Sequence, residues 1–258
     1  MHTLTMFSLK GGCGNTLLAA NLAHVWHQQG YSVLAIDACP DNQLRLPLGM
    51  PLSSNDGHAW AKGNNLPWYE SAWLSPAGVP FLPFGYPAPQ TMAALMAKDY
   101  AHSNWLRQTL TAIELPDNTR CVVDGGTLNS PLLATALAPA NTVLIILSSD
   151  AMVCVPLKQL ETHLLMALTP ENRPPCYFVL NRFSANRSLD RDMRSLAQEV
   201  LGTRMAPVVV HEDESMREAL VMKQTVFEYA PHSQAAEDIQ RLSIWLSALI
   251  GTQTETLT

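Results

Sequence analysis

Paired cysteines are missing from this chain. The five present, Cys13, Cys39, Cys121, Cys154 and Cys176, are odd in number and widely spaced, with no CxxC unit among them. Such spacing offers neither a disulfide framework nor a zinc site, so a reducing compartment, the cytoplasm, is expected. Charge is also scarce. Asp, Glu, Lys and Arg make up 15% of 258 residues, which leaves apolar surface for a partner or a second copy to cover. There is no basic excess: a net charge of -6 and a pI near 5.7 disfavour global attraction to nucleic acid or anionic lipid and favour protein partners. No apolar run approaches the ~18 residues of a membrane helix. The clearest one, residues 143–147, is strand-sized. Residues 1–10 run straight into a glycine loop, so no secretory signal is expected.

What the chain does have is alternation. Residues 4–8, 33–37, 121–124, 143–147, 177–181 and 207–210 read as buried strands, most of them continuously apolar, as strands covered on both faces are. Helical patterns separate them. The fold class expected is therefore α/β, a mostly parallel sheet with helices on both faces, in one domain over residues 1–250 with a polar tail at 251–258. The first helix starts near Gly14, turns Leu18, Leu22 and Val25 to one face, and ends at Gly30. Further helices are expected over 151–168, 187–201 and 233–250. Residues 46–90, rich in Pro and Gly and carrying Trp60, Trp68 and Trp73, read as an irregular insertion. Its tryptophans serve either partner contacts or the stapling of a long loop to the body.

The chemistry concentrates in Lys10-Gly11-Gly12-Cys13-Gly14-Asn15-Thr16, placed between the first strand and the first helix. In that context consecutive N–H groups and a helix N-terminus cradle phosphate oxygens, and Gly11, Gly12 and Gly14 let the backbone approach them. The Thr16 hydroxyl is placed to ligate Mg²⁺, with Asp37 and Asp124, each at a strand end, as outer-sphere candidates. A strict GxxxxGK[ST] pattern misses this loop, because Leu9 stands at its first Gly and Asn15 at its Lys. Cys13 and Cys39 flank the site but lack the paired spacing of an iron–sulfur centre. Among the histidines, His24 and His27 are expected on the solvated face of the first helix and His211 after a strand, with no ligand set among them.

Lys10-Gly11-Gly12-x-Gly14-x-Thr16 resembles the deviant Walker A motif of the MinD/ParA ATPases. Ala35-Ile36-Asp37 is similar to that family's second motif, Val122-Val123-Asp124 to its Walker B strand, and Val179-Leu180-Asn181-Arg182 to the segment whose Asn contacts adenine. Within the family the chain resembles a group that serves bacterial cellulose synthesis. That narrower likeness rests on Asp37-Ala38-Cys39-Pro40-Asp41-Asn42-x-Leu44-Arg45-Leu46 and Leu82-Pro83-Phe84-Gly85, with support from His211-Glu212-Asp213-Glu214 and Lys223-Gln224-x-Val226-x-Glu228-Tyr229.

The resemblance implies ATP and Mg²⁺ as cofactors. It implies Lys10, Asp37 and Asp124 as catalytic residues, the loop from Lys10 through Leu17 with Asn181 and Arg182 as the nucleotide contacts, and Thr16 and Asp37 at the metal. Lys10 matches the signature lysine that reaches across a dimer to the partner's nucleotide, so an ATP-dependent homodimer is implied. Two departures point to weak or absent hydrolysis. Asn15 brings no charge to the β- and γ-phosphates, and Cys39 stands at the family's water-positioning Asp, with Asp41 the nearest substitute. The function implied is a nucleotide-switched accessory protein that localises or activates a membrane cellulose synthase. Its implied partners are a small companion subunit, a cyclic-di-GMP-sensing component and the synthase. The alternatives are a ParA-type DNA-partitioning ATPase, against which the acidic balance argues, and a metabolic enzyme on the same fold. Arg241 is the only Arg or Lys in residues 233–258, so any membrane location is expected through protein partners.

Overall fold

The computed structural model describes residues 1–100, 104–150, 157 and 174–255. One seven-stranded sheet organises them, in the order β3-β4-β2-β5-β1-β6-β7. The strands are β1 (His2–Ser8), β2 (Val33–Asp37), β3 (Trp73–Leu74), β4 (Pro80–Leu82), β5 (Arg120–Thr127), β6 (Thr142–Ser148) and β7 (Cys176–Asn181). Every pairing is parallel except β3 with β4. The helices are α1 (Asn15–Gln28), α2 (His58–Gly63), α3 (Pro89–Lys98), α4 (Trp105–Thr111), α5 (Leu133–Leu137), α6 (Ser188–Leu201), α7 (Ser215–Val221), α8 (Val226–Tyr229) and α9 (Gln234–Glu255).

Side chains alternate across each strand, so one sequence feeds two cores. Val33 and Ala35 of β2 and Val122 of β5 face a large cluster with Leu18, Leu22 and Trp26 of α1 and Ile239, Leu242 and Leu246 of α9. Ile36, Cys121 and Val123 face the other side, against Leu106 and Leu110 of α4 and Ala136 of α5. Helices thus cover both faces, as expected for a mostly parallel sheet. Ser8 and Asp37, at the ends of β1 and β2, come together with Asp124 at one edge of this slab, although β5 continues past Asp124 to Thr127.

Several local expectations are corrected. Residues 207–210 form no strand: Ala206 and Val210 donate to the Phe178 and Leu180 carbonyls at 2.7 and 2.9 Å, so four residues of this segment span two of β7 where a ladder matches two with two. Residues 46–90 are less irregular than their composition suggests, since they supply α2, β3 and β4 and so extend the sheet by two strands. Trp68 and Trp73 pack against the cores there, which is the stapling role. His24 is buried rather than solvated, because α9 and α8 close over the outer side of α1; its Nδ1 lies 2.8 Å from the Thr225 hydroxyl and its ring stacks on Phe227. The helix expected over 151–168 lies, save for Leu157, outside the described residues, as does Cys154.

Candidate nucleotide site

The loop between β1 and α1 carries glycine where geometry demands it. Gly14, the residue before α1, has φ 89° in the left-handed region, and a Cβ there would lie 2.4 Å from Asn181 Nδ2. That amide donates to the Cys13 carbonyl at 2.7 Å, so the end of β7 holds the loop from behind. Arg182 follows with φ 57°, uncommon for a residue with a side chain, and its guanidinium donates to the Gly12 carbonyl at 3.1 Å and to Glu212 at 3.2 Å. Arg187 adds a second pair with Glu212 at 2.6 Å. Cys13 is buried, its thiol 3.5 Å from the Ser148 hydroxyl.

On the inner side, Asn15 is 5% exposed and donates to an Asp124 carboxylate oxygen at 2.5 Å. The same oxygen accepts the Gly126 N–H at 2.9 Å. Asp37 is bound by its own following loop, its two oxygens accepting the N–H groups of Cys39 and Leu44 at 3.0 Å each. Burial, then the neighbouring Asp124 charge, pushes the Asp37 carboxyl well above its ordinary range, and the two N–H groups only partly offset this. Burial raises Asp124 as well, against the Thr16 hydroxyl, the Gly126 N–H and the Asn15 amide. Burial also pushes the Cys39 thiol up to about 12, so it stays protonated, without the thiolate that redox or metal chemistry needs.

Two clefts share Gly11 and Gly12. The inner one, about 250 Å³, is lined by Asn15, Thr16, Leu17, Cys39, Asp41 and Asp124, among others. The outer one, about 380 Å³, is lined by Lys10, Ser149, Asp150, Arg182, Arg187 and Glu212, among others. Lys10 is exposed and ion-paired with Asp150. The expected residues from Lys10 to Leu17, with Asp124, Asn181 and Arg182, lie on these clefts or form and hold the loop between them, whereas Asp37 lines neither cleft and is engaged by the turn that follows it. Asp150 had no signal pointing to it beyond its place after β6, and Glu212 was marked only as part of the His211-Glu212-Asp213-Glu214 stretch.

These residues fit a nucleotide with its magnesium. A Cβ on Gly11 or Gly12 would meet no atom within 4 Å, so the loop presents bare backbone to open space. Asp124 Oδ2 and Asn15 Oδ1 are buried acceptors without a hydrogen-bond partner among the described residues, which suits the donor hydrogens of metal-bound water.

Comparison with known proteins decides the family. The model of the family described as cellulose biosynthesis protein BcsQ matches residues 1–246. The chain belongs to the BcsQ family. A BcsQ cellulose biosynthesis protein of Escherichia coli (strain K12) is 28% identical over 255 residues, covering 95% of this chain and 94% of its own. Among solved structures, the septum site-determining protein MinD of Pyrococcus horikoshii, complexed with Mg-ADP, superposes with a TM-score of 0.78 at 19% identity, over 97% of this chain and 98% of that one. Cobyrinic acid a,c-diamide synthase of Mycobacterium smegmatis, with bound ADP and magnesium, reaches 0.74 at 14% identity, over 95% and 94%. The MinD/ParA fold and the cellulose-synthesis branch implied by the motifs are thus both borne out for this BcsQ-family chain. No helix among the described residues is long and apolar enough to cross a membrane.

Proposed function

We propose that this BcsQ-family chain binds Mg²⁺·ATP in the cleft of Lys10 to Leu17 and dimerises with nucleotide at the interface, hydrolysing it weakly or not at all. The observation that carries this is the posture of Asn15, whose amide is engaged by Asp124 and brings no charge to the phosphates. Binding relies on the backbone N–H groups of the glycine loop and the start of α1, with Arg182 and Asn181 fixing that loop. Bound Mg²⁺ neutralises phosphate charge, and Thr16 with the Asp37–Asp124 pair holds it and its waters. Lys10 leaves Asp150 to reach the partner's nucleotide, so mass action by ATP sets the amount of dimer without rapid turnover. The dimer serves bacterial cellulose synthesis and secretion by localising or activating the membrane synthase complex, together with a small companion subunit and the secretion components. It resides in the cytoplasm and meets the membrane through those proteins.

The experiment is sedimentation of the purified chain with and without a non-hydrolysable ATP analogue and Mg²⁺. A nucleotide-dependent dimer is expected, lost in Lys10→Ala and favoured slightly in Asp150→Ala. An unchanged monomer would count decisively against it. Duplex DNA is expected not to bind even at low salt.

A further inference from the structure

The segment between β2 and β4 returns to the site through one side chain. Gly57 and Gly85 cross with their backbones touching, so that a Cβ on Gly57 would lie 2.2 Å from the Gly85 nitrogen. The crossing sets His58 at the start of α2, where the N–H groups of His58 and Ala59 donate to the Pro83 and Phe84 carbonyls at 3.0 and 2.9 Å. The fully buried His58 imidazole runs back to β2, and its Nε2 lies 2.9 Å from the Asp37 backbone carbonyl. A carbonyl only accepts, so Nε2 carries the hydrogen and Nδ1 accepts from the Tyr100 hydroxyl at 2.9 Å. Burial lowers His58 to about 4, which keeps the ring neutral near pH 7.

The donor has a reason to be there. β2 and β4 pair at Ala35 with Phe81 and at Ile36 with Leu82, and the pairing ends there. The Asp37 carbonyl, at the end of this pairing, takes its hydrogen from His58 instead. An aromatic block encloses the ring: the Phe84 and Trp105 centroids are each 4.9 Å away and that of Tyr100 is 6.0 Å away. Lys62 lies over Tyr100 and Trp105 and pairs with Asp99 at 3.3 Å. Beyond Asp37 comes the loop whose Cys39, Asp41 and Gln43 line the inner cleft.

We propose that His58 is a positioning residue for the metal side of the nucleotide cleft: through the Asp37 carbonyl it fixes the turn that places Asp37 and residues 39–43, and it ties that turn to the aromatic block. This rests on the nucleotide reading above. Because coupling is reciprocal, an event that shifts the block changes Mg²⁺·nucleotide affinity, and nucleotide in turn stiffens the block.

The test measures fluorescent ADP binding to the full chain with and without Mg²⁺. His58→Phe keeps the ring shape and loses the donor. Its Mg²⁺-bound affinity is expected to fall about tenfold, as when a partner behind a metal group is lost, while its Mg²⁺-free affinity stays within about twofold. His58→Gln, whose amide restores a donor, recovers most of the loss. Tyr100→Phe leaves the ring seated but frees Nδ1, and costs about threefold in the same sense. Unchanged Mg²⁺ dependence in His58→Phe overturns the proposal, as does an equal loss with and without Mg²⁺ that His58→Gln fails to restore. Should His58→Phe not fold, unchanged Mg²⁺ dependence in Tyr100→Phe overturns it. Wild-type protein that binds no Mg²⁺·ADP at all would strike the nucleotide reading itself, and the inference with it.

Discussion

The Asn15 side-chain amide and the Asp124 carboxylate meet at 2.5 Å across the floor of the inner cleft, joining the first residue of α1 to β5. A lysine at this place would carry an ammonium on a flexible four-carbon stem that reaches outward to phosphate. The shorter asparagine turns inward and neutralises nothing.

Asn15→Lys therefore restores a charge-assisted contact. Mg²⁺·ATP affinity is expected to rise about tenfold, because hydrogen bonds to charged groups are roughly twice as strong as neutral ones. Phosphate release is expected to rise with it. Calorimetric titration beside a phosphate-release assay checks both, and an unchanged affinity would show that position 15 does not face the phosphates.

Asp124→Asn is expected to stabilise the nucleotide-free protein while weakening Mg²⁺·nucleotide binding. Its neutrality removes a buried charge with one oxygen unpartnered, and relieves the buried Asp37. The pH dependence has a definite sign. Asp124 is raised, so it binds its proton more tightly when folded, and its contribution is full below the unfolded value of 3.8 and lost as pH rises through the higher folded value. Thermal melts from pH 4 to 8 should thus diverge, with the variant gaining on the wild type as pH rises; parallel curves would contradict the assignment.

Gly14→Ala meets two obstacles at once, the φ of 89° and the Asn181 amide 2.4 Å from the new methyl. The left-handed conformation alone costs about 1–2 kcal/mol, and pushing Asn181 away releases the Cys13 carbonyl. Loss of nucleotide binding is expected from a chain that still folds at 25 °C. Circular dichroism and nucleotide titration separate these two readouts.

Thr225→Val tests the buried contact between α1 and α8. The Thr225 hydroxyl caps α8, lies 2.8 Å from Glu228 and meets His24 at 2.8 Å. Removing it from a site 1% exposed is expected to cost about 1–3 kcal/mol in urea unfolding, with nucleotide affinity unchanged.

The parallel core and the phosphate loop were legible because their signals are local. Continuous apolar runs gave five of the strands, and glycine spacing located the cradle. His24 was misplaced because a polar residue on a long helix reads as solvated until a second helix, α8, packs on it. Residues 207–210 read as a strand from their valines, while the segment slips against β7, Val210 and not Val208 reaching the Leu180 carbonyl. Strands β3 and β4 lay hidden in a stretch punctuated by Pro and Gly, since Leu82 pairs with Ile36 only through a contact 46 positions distant in sequence. Asp150 and His58 were invisible for the same reason, as each acts through a partner far along the chain.

The crossing of Gly57 and Gly85 sets a rule for kin of this chain. A side chain on either residue would strike the other's backbone, and enlarging one cannot be answered by shrinking its neighbour, which is already as small as a residue can be. A chain with a side chain at either place cannot make this crossing, and must seat its aromatic block by some other route or dispense with it.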